Sequence, residues 1–378
     1  MSDSGARLMD EAFERAIAKG EVPGGVVLVG RGDDVLHEKA YGLQARVPEV
    51  EPARIGTVYD LASLTKVVAT TPAIMCLVER GLLALSDPVS AHIPEWKSDD
   101  PGQPAVTLRM LLTHTSGLPP FEKYHETMPP EGAMDAIVRD IGRMPLQAPP
   151  ATRFIYSDLG FILLGEIIRR VGGAPLDEFC RAHLFGPLGM ADTGFRPCGG
   201  VLARTAPTEW CSDPDGPGGR AILRGAVHDG NARLVGGVSG HAGLFSTARD
   251  LALFCRMLLN GGELDGVRVL SRAAVDAMTG DQRMPPGGVR RGLGWDIDSS
   301  YSTPRGDLLR GGFGHTGWTG TSIWVVPEER LYIIALTNRV HPDGGGDAGP
   351  LRARIANITA ARFVEPSTRT VPGGEAAG

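Results

Sequence analysis

The chain has 378 residues, of which 42% are hydrophobic and 22% are charged, and its formal net charge is −6 at pH 7. This is an ordinary globular composition, and a chain of this length can bury a core that needs no disulfides or structural metal. No dense Lys/Arg run occurs, which argues against a nucleic-acid-binding protein because such proteins need a concentrated basic face.

The cysteines and the N-terminus bear on the compartment. The five cysteines are odd in number and no pair has Cys-x-x-Cys spacing, so we expect scattered buried thiols rather than a disulfide scaffold or a zinc ribbon. No basic start precedes an apolar stretch, and we find no run of about 18 apolar residues. The sequence therefore predicts a cytoplasmic protein with no membrane segment, with a processed exported protein as the alternative.

The two ends of the chain predict both helices and strands. Apolar spacing indicates a helix over residues 6–19, and residues 24–30 and 35–41 read as a hairpin. Residues 64–80 predict a largely apolar helix that is kinked at Pro72 and ends at Gly81. Towards the other end, the patterns predict helices at 248–259 and 350–363. Between them, residues 321–326 and 330–337 are predicted to form a hairpin.

Between these ends strand signals become rare. Helices are predicted at 107–112 and 158–171, and a long surface loop at 211–230. The predicted fold class is α/β (α+β), with an antiparallel sheet flanked by helices and an inserted, mostly helical domain. The expected boundaries are 1–81 plus 236–364 for the sheet domain, 82–235 for the helical domain and 365–378 for a flexible tail. A catalytic cleft is expected where the two domains meet.

The first candidate motif is Ser63-Leu64-Thr65-Lys66, at the start of the predicted apolar helix. A serine at a helix N-terminus meets positive potential from free backbone N–H groups, and a lysine three residues later lies on the same face. If burial desolvates Lys66, its pKa falls and its amine can serve as a base. Alternatively, Ser63 only caps the helix, since Ser-x-x-Lys also arises by chance. Lys66 is the only charged residue between Asp60 and Glu79, which favours a catalytic role.

Two further motifs contain candidate site residues. In Tyr156-Ser157-Asp158 a phenol near a lysine can carry a proton, although helix capping by Ser157 or Asp158 explains the same residues. In the segment 314–320, Gly-His-Thr-Gly-Trp-Thr-Gly, small residues allow close approach of a ligand. His315 and Thr316 are candidates to face the substrate and the N–H of Trp318 to donate to an oxyanion, while a purely geometric edge turn is the alternative.

Together the motifs resemble those of the serine β-lactamase and penicillin-binding-protein superfamily, whose pattern is Ser-x-x-Lys, Ser-Asp-Asn and Lys-Thr-Gly. The tyrosine form of the second motif is similar to that of class C β-lactamases and their esterase relatives. The resemblance covers roughly residues 10–362. It implies a β-lactamase/transpeptidase-like fold, an acyl-enzyme on Ser63, proton transfer by Lys66 with Tyr156, and an oxyanion hole formed by the N–H groups of Ser63 and Trp318. It implies no metal and no organic cofactor.

The resemblance also extends to other segments. It places Asp158, His315, Thr316 and Gly317 at the substrate, and segments 111–118 and 237–247 resemble signatures in which His114 and His241 are expected to be structural. The stretches 315–326 and 336–342 are similar to bacterial enzymes that cleave the amide between the lactyl group of N-acetylmuramic acid and a peptide. Arg339 is a candidate for a substrate carboxylate, with a surface role as the alternative.

Two positions depart from the pattern. Position 315 is His where β-lactamases usually have Lys, a permanent cation, and imidazole is mostly neutral at pH 7. Position 158 is Asp where Asn is common, and a carboxylate there would tend to keep Lys66 protonated. Both changes reduce the expected affinity for anionic β-lactams, so we expect weak β-lactamase activity at most.

The leading prediction is a serine hydrolase that cleaves a small-molecule ester, amide or muramyl peptide. The first alternative is an acyl transferase or DD-peptidase, which shares the acyl-enzyme. The second is a non-catalytic ligand sensor of the same fold, although the presence of Ser63, Lys66 and Tyr156 together argues against it. The sequence leaves open the acyl group, the leaving group, the oligomeric state, and whether Lys66 or Tyr156 is the main base.

Overall fold

The structure is a computed structural model that describes residues 3–212, 219–283, 289–299 and 302–364. The predicted flexible tail, 365–378, lies outside the described residues. The strands are β1 (Gly24–Arg31), β2 (Asp34–Ala45), β3 (Glu51–Pro52), β4 (Tyr59–Asp60), β5 (Gly194–Phe195), β6 (Trp210–Ser212), β7 (Arg220–Ile222), β8 (Leu244–Ser246), β9 (Glu263–Leu264), β10 (Val267–Arg268), β11 (Arg290–Arg291), β12 (Asp296–Asp298), β13 (Phe313–Thr316), β14 (Ser322–Val326) and β15 (Leu331–Thr337).

Helices occur along the whole chain and dominate its middle. They are α1 (Asp3–Ala18), α2 (Thr71–Glu79), α3 (Leu108–Leu112), α4 (Tyr124–Thr127), α5 (Ala133–Ile141), α6 (Asp158–Gly172), α7 (Leu176–Cys180), α8 (Gly199–Ala203), α9 (Gly230–Leu234), α10 (Ala248–Leu259), α11 (Arg272–Thr279) and α12 (Gly349–Phe363).

One large antiparallel sheet combines strands from both ends of the chain. Its order is β11-β12-β13-β14-β15-β1-β2-β3, so the hairpins β1–β2 and β14–β15 meet where β1 pairs with β15. The buried strands β1, β14 and β15 are rich in Val, Ile and Leu, as expected for strands covered on both faces. The predicted fold class, an antiparallel sheet flanked by helices, is confirmed.

Each face of the sheet has its own core. Helices α1 and α12 pack against one face through apolar side chains such as Phe13 and Leu351, together with Val27 and Ile333. The larger core lies on the other face and joins the sheet to α2, α6 and α10. The segments that carry the three sequence motifs meet along this second face.

The apolar helix predicted at 64–80 differs from its expectation. The chain forms a 3-10 turn over Ala62–Leu64, a π-helical turn over Lys66–Thr70, and then α2. Pro72 lies in the first turn of α2, directly after the π-helical turn. The stretch Ala62–Glu79 is long and apolar enough to cross a membrane by length and composition, but 83% of it is buried inside the protein, as is typical of a core helix.

Two smaller expectations are corrected. Within the predicted loop 211–230, β7 pairs with β6, and α9 begins at Gly230; strands of three residues are too short to leave a periodic signal in the sequence. All five cysteines are free, as expected, but only Cys76, Cys180 and Cys255 are buried.

Candidate active site

Ser63 lies in a turn with a strained backbone. The preceding residue, Ala62, has a φ of 47°, a left-handed conformation that costs a residue with a Cβ about 1 kcal/mol. The Asp60 carboxylate holds this conformation because it accepts hydrogen bonds from the N–H groups of Ala62 at 2.8 Å and His228 at 2.7 Å. Ser63 thus lies in a fixed 3-10 turn. The sequence predicted that it would lie at the start of an α-helix, and this prediction is wrong.

The third motif docks directly on this turn. The hydroxyls of Thr319 and Thr321 donate to the backbone carbonyls of Asp60 and Leu61 at 2.7 and 3.0 Å. Gly317 packs so closely that an added Cβ would lie 2.4 Å from the Leu61 carbonyl oxygen. The glycine is therefore required for the close approach of the β13–β14 connection to the nucleophile turn.

Lys66 is fully buried and its amine meets three oxygen atoms. Its Nζ lies 3.0 Å from Ser63 Oγ, 3.1 Å from the His241 carbonyl and 2.7 Å from Asp158 Oδ1. An ammonium has three N–H donors, and both a carbonyl and a carboxylate can only accept. The three contacts therefore fit a charged lysine.

The charges around Lys66 point the same way. Burial lowers the pKa of Lys66, but the Asp158 carboxylate and, secondarily, Tyr156 raise it, and the net pKa lies above the ordinary lysine value. Lys66 is therefore an ammonium at neutral pH. This agrees with the effect expected of Asp at position 158, whose carboxylate outweighs the lowering of the Lys66 pKa by burial.

Tyr156 reaches the same site from the segment before α6. Its ring stacks on His114 with centroids 4.3 Å apart and lies 5.1 Å from Lys66 Nζ. His114 Nδ1 accepts the N–H of Ser157 at 3.0 Å, and burial lowers the pKa of this histidine well below its usual value. A neutral His114 thus fixes the backbone beside Tyr156, which is the structural role expected for it.

The backbone carbonyl of His241 accepts a hydrogen bond from Lys66, and the His241 ring holds this backbone in place. Its Nε2 lies 2.8 Å from Asp229 Oδ1 and its Nδ1 lies 2.9 Å from Ser239 Oγ. These contacts fix the backbone whose carbonyl accepts from Lys66. His241 therefore acts through its main chain, and its ring is structural, as expected.

His315 is buried beside Tyr156, with ring centroids 6.0 Å apart. Its Nδ1 lies 2.8 Å from the carbonyl oxygen of Thr316, so Nδ1 carries a proton and donates it. Burial lowers the pKa of His315 well below its usual value, and the cations Arg291 and Lys66 lower it further. His315 is therefore neutral, which agrees with the expectation from sequence.

A cavity of about 620 Å³ opens over these residues, a size that suits a small organic ligand. Ser63, Tyr156 and the segment from His315 to Trp318 line one part of it, and Asp296, Arg339, Gly346, Asp347 and Arg352 line the rest. The Trp318 side chain is 66% exposed at the rim. Asp158 contacts Lys66 and is not part of this lining.

Two arginines give one wall a positive charge. Arg352 donates to the carbonyls of Gly317 and Thr321 at 3.0 and 2.8 Å, and burial lowers its pKa to about 10, which leaves it charged at neutral pH. Arg339 donates to the Trp318 carbonyl at 2.7 Å and lies 4.5 Å from the indole ring. Both donate to backbone carbonyls, which carry no formal charge. The carboxylates near them are Asp347, which faces both arginines, and Glu209, which faces Arg339.

The structure thus brings together Ser63, Lys66 and Tyr156 with the 315–318 segment. Sequence reasoning missed Asp296 and Arg352, because neither lies in a recognisable motif and both reach the cavity only through the sheet and α12. Within the described ranges, no three His, Cys, Asp or Glu side chains are grouped so as to hold a metal ion.

Comparisons with known proteins agree with this geometry. The profile of the family described as Beta-lactamase matches residues 9–357. The chain is 34% identical to an N-acetylmuramyl-L-alanine amidase of Bacillus subtilis, over 89% of this chain and 81% of the amidase. It is 32% identical to a putative D-alanyl-D-alanine carboxypeptidase of Escherichia coli K12, over 83% of this chain and 78% of that protein.

The fold also matches solved structures. EstCE1, a hydrolase with promiscuous acyltransferase activity, superimposes with a TM-score of 0.74, covering 94% of this chain and 98% of that chain at 24% identity. At this identity the match speaks for the fold alone.

Proposed function

Because the chain belongs to the β-lactamase family of serine hydrolases, we propose that it cleaves its ester or amide substrate through an acyl-enzyme on Ser63. The contact that carries this proposal is the 3.0 Å distance between Lys66 Nζ and Ser63 Oγ in a cavity that Tyr156 also lines. An ammonium beside the serine oxygen stabilises the negative charge that develops there as the hydroxyl loses its proton.

Proton transfer falls to Tyr156 in this scheme. Lys66 already holds three protons, so it cannot accept the proton of Ser63. The Tyr156 hydroxyl accepts that proton while it passes its own to the leaving group. The bond between carbonyl and leaving group breaks, the acyl group stays on Ser63, and water releases it by the reverse proton path. The N–H groups of Ser63 and Trp318 are the proposed oxyanion donors.

For the substrate we propose a muramyl peptide, cleaved at the amide that joins the lactyl group to the peptide. The amidase of Bacillus subtilis supports this class by its name and its 34% identity. The charges of Arg339 and Arg352 support it because a peptide presents carboxylates to such a wall. Two residues disfavour β-lactams as substrates. His315 is neutral where β-lactamases usually have a lysine cation, and Asp158 keeps Lys66 protonated.

The test is product analysis. Purified protein is incubated with N-acetylmuramyl-L-alanyl-D-isoglutamine, and products are identified by mass spectrometry, with Ser63→Ala as the control. Free N-acetylmuramic acid and dipeptide are expected from the native chain only. Absence of cleavage would contradict the substrate class.

A second candidate function is D-alanyl-D-alanine carboxypeptidase, which the relatives of that name favour. A muramyl pentapeptide ending in D-alanyl-D-alanine separates the two. Release of D-alanine would support the second function, and release of the intact pentapeptide would support the first.

A further inference from the structure

Two buried atoms in the cavity wall have complementary hydrogen-bonding capacity. The Nε2 of His315 lies buried without a hydrogen bond to any residue that the structure describes. The hydroxyl of Tyr156 is buried as well, and the Lys66 ammonium interacts with its oxygen, which leaves the hydroxyl hydrogen free to donate. Their rings are 6.0 Å apart, and both residues line the cavity that holds Ser63. Buried polar groups in folded proteins are nearly always paired, so the unpaired Nε2 of His315, beside a hydroxyl with a free hydrogen, indicates a ligand that pairs with both.

The proton positions define what that ligand must offer. His315 donates from Nδ1 to the carbonyl oxygen of Thr316, which leaves a lone pair on Nε2. The neighbouring cations Arg291 and Lys66 oppose protonation of this ring. Nε2 can therefore only accept, whereas the Tyr156 hydroxyl can donate. A complementary group must accept one proton and donate another.

The nitrogen of a secondary amide is such a group. We propose that Tyr156 and His315 together recognise the leaving nitrogen of a secondary amide, so that the enzyme selects amides over esters. This proposal rests on the acyl-enzyme chemistry proposed above and specifies its substrate.

The atoms balance as follows. Ser63 Oγ bonds to the carbonyl carbon, and its proton passes to the Tyr156 oxygen. The lone pair of the nitrogen takes the Tyr156 proton as the C–N bond breaks, so the leaving group departs as a neutral amine. The hydrogen that the nitrogen carried from the start donates to His315 Nε2 throughout. An ester oxygen has no such hydrogen, so with an ester substrate His315 Nε2 would stay unpaired.

The experiment compares three substrates with the same acyl group: a secondary amide, its N-methyl amide and the ester with oxygen in place of N–H. Two variants accompany the native enzyme. His315→Asn keeps a donor near the Nδ1 position but loses the acceptor, and His315→Gln keeps an acceptor near the Nε2 position. We expect His315→Asn to lower kcat/KM for the secondary amide about 10- to 100-fold. The losses for the ester and the N-methyl amide should be smaller than the loss for the secondary amide by at least about 3-fold, and His315→Gln should keep most of the preference for the secondary amide.

Equal losses for amide and ester in His315→Asn would overturn the proposal, because they would indicate a general structural role. No loss for any substrate would overturn it as well. If the variants unfold, the native enzyme alone tests the proposal. Its kcat/KM for the N-methyl amide should be at least about tenfold lower than for the secondary amide, after correction for the difference in their uncatalysed hydrolysis rates. Trapping the ester-derived acyl group on Ser63 keeps the two questions apart, since it tests the acyl-enzyme independently of leaving-group recognition.

Discussion

Replacing Asp158 by Asn removes the carboxylate that keeps Lys66 charged. The two unit charges lie 2.7 Å apart, and the lysine side chain has no exposed area. At an effective dielectric constant of about 20, their attraction is about 6 kcal/mol, and burial of both groups opposes it. Breaking a buried ion pair typically costs about 3–5 kcal/mol. We expect Asp158→Asn to cost less than this range at pH 7, because the lysine can escape by losing its proton.

The sign of the pH dependence follows from the pKa of Lys66. In the native protein this pKa is raised, so the stability that the pair contributes is present below the unfolded-state lysine pKa and is lost only as pH rises through the folded-state value. Without Asp158 the main remaining influence is burial, which lowers the pKa of Lys66. The ammonium is then lost at lower pH, and with it the charge beside Ser63 Oγ.

The assay is a pH profile of kcat/KM together with urea unfolding. For Asp158→Asn we expect the alkaline limb to move to lower pH and kcat/KM at neutral pH to fall about 100-fold. The matched control is Asp33→Asn, which removes an exposed partner of Arg256 at 2.9 Å and should change stability by less than about 1 kcal/mol. Higher activity in Asp158→Asn would refute the reasoning, because it would indicate that neutral Lys66 is the productive base. An unmoved alkaline limb would refute it as well, because it would show that loss of the Lys66 charge does not limit the rate.

Three further predictions concern the nucleophile turn and the specificity. Gly317→Ala places a Cβ 2.4 Å from the Leu61 carbonyl, so kcat should fall at least about tenfold in a steady-state assay, and native-like activity would contradict the close packing. Ala62→Gly relieves a φ of 47° and should raise the free energy of unfolding by up to about 1 kcal/mol in a urea titration, and a clear decrease would contradict strain at this residue. Penicillins and cephalosporins should be hydrolysed slowly at most, and rapid turnover in a spectrophotometric assay would show that His315 and Asp158 do not weaken β-lactam recognition.

The sequence predicted the parts of the fold that local patterns encode. The hairpins β1–β2 and β14–β15 have β-branched runs separated by turn residues, and α6 and α10 have capping residues followed by periodic apolar positions. The predicted start of the apolar helix after Ser63 was wrong, because the chain forms a 3-10 turn and a π-helical turn before α2. Its 3-10 and π-helical turns arise from contacts of Asp60 and the β13–β14 connection, which are distant in sequence.

The candidate site shows the same limit. The resemblance of the three motifs to those of a known superfamily implied that Ser63, Lys66, Tyr156 and His315 belong to one site. The protonation state of Lys66 depends on a 2.7 Å contact with Asp158, and spacing alone left two opposite effects on its pKa open. Arg352 reaches the cavity only because α12 packs on the sheet beside Gly317, a relation that no local pattern contains.

Mass spectrometry of the Ser63 peptide after rapid acid quench tests the central claim most directly. A substrate excess should add the mass of the acyl group to this peptide within the first turnovers, and Ser63→Ala should show neither the added mass nor more than about a thousandth of the native rate. Steady turnover with the acyl mass on another residue, or full activity in Ser63→Ala, would contradict a mechanism centred on Ser63.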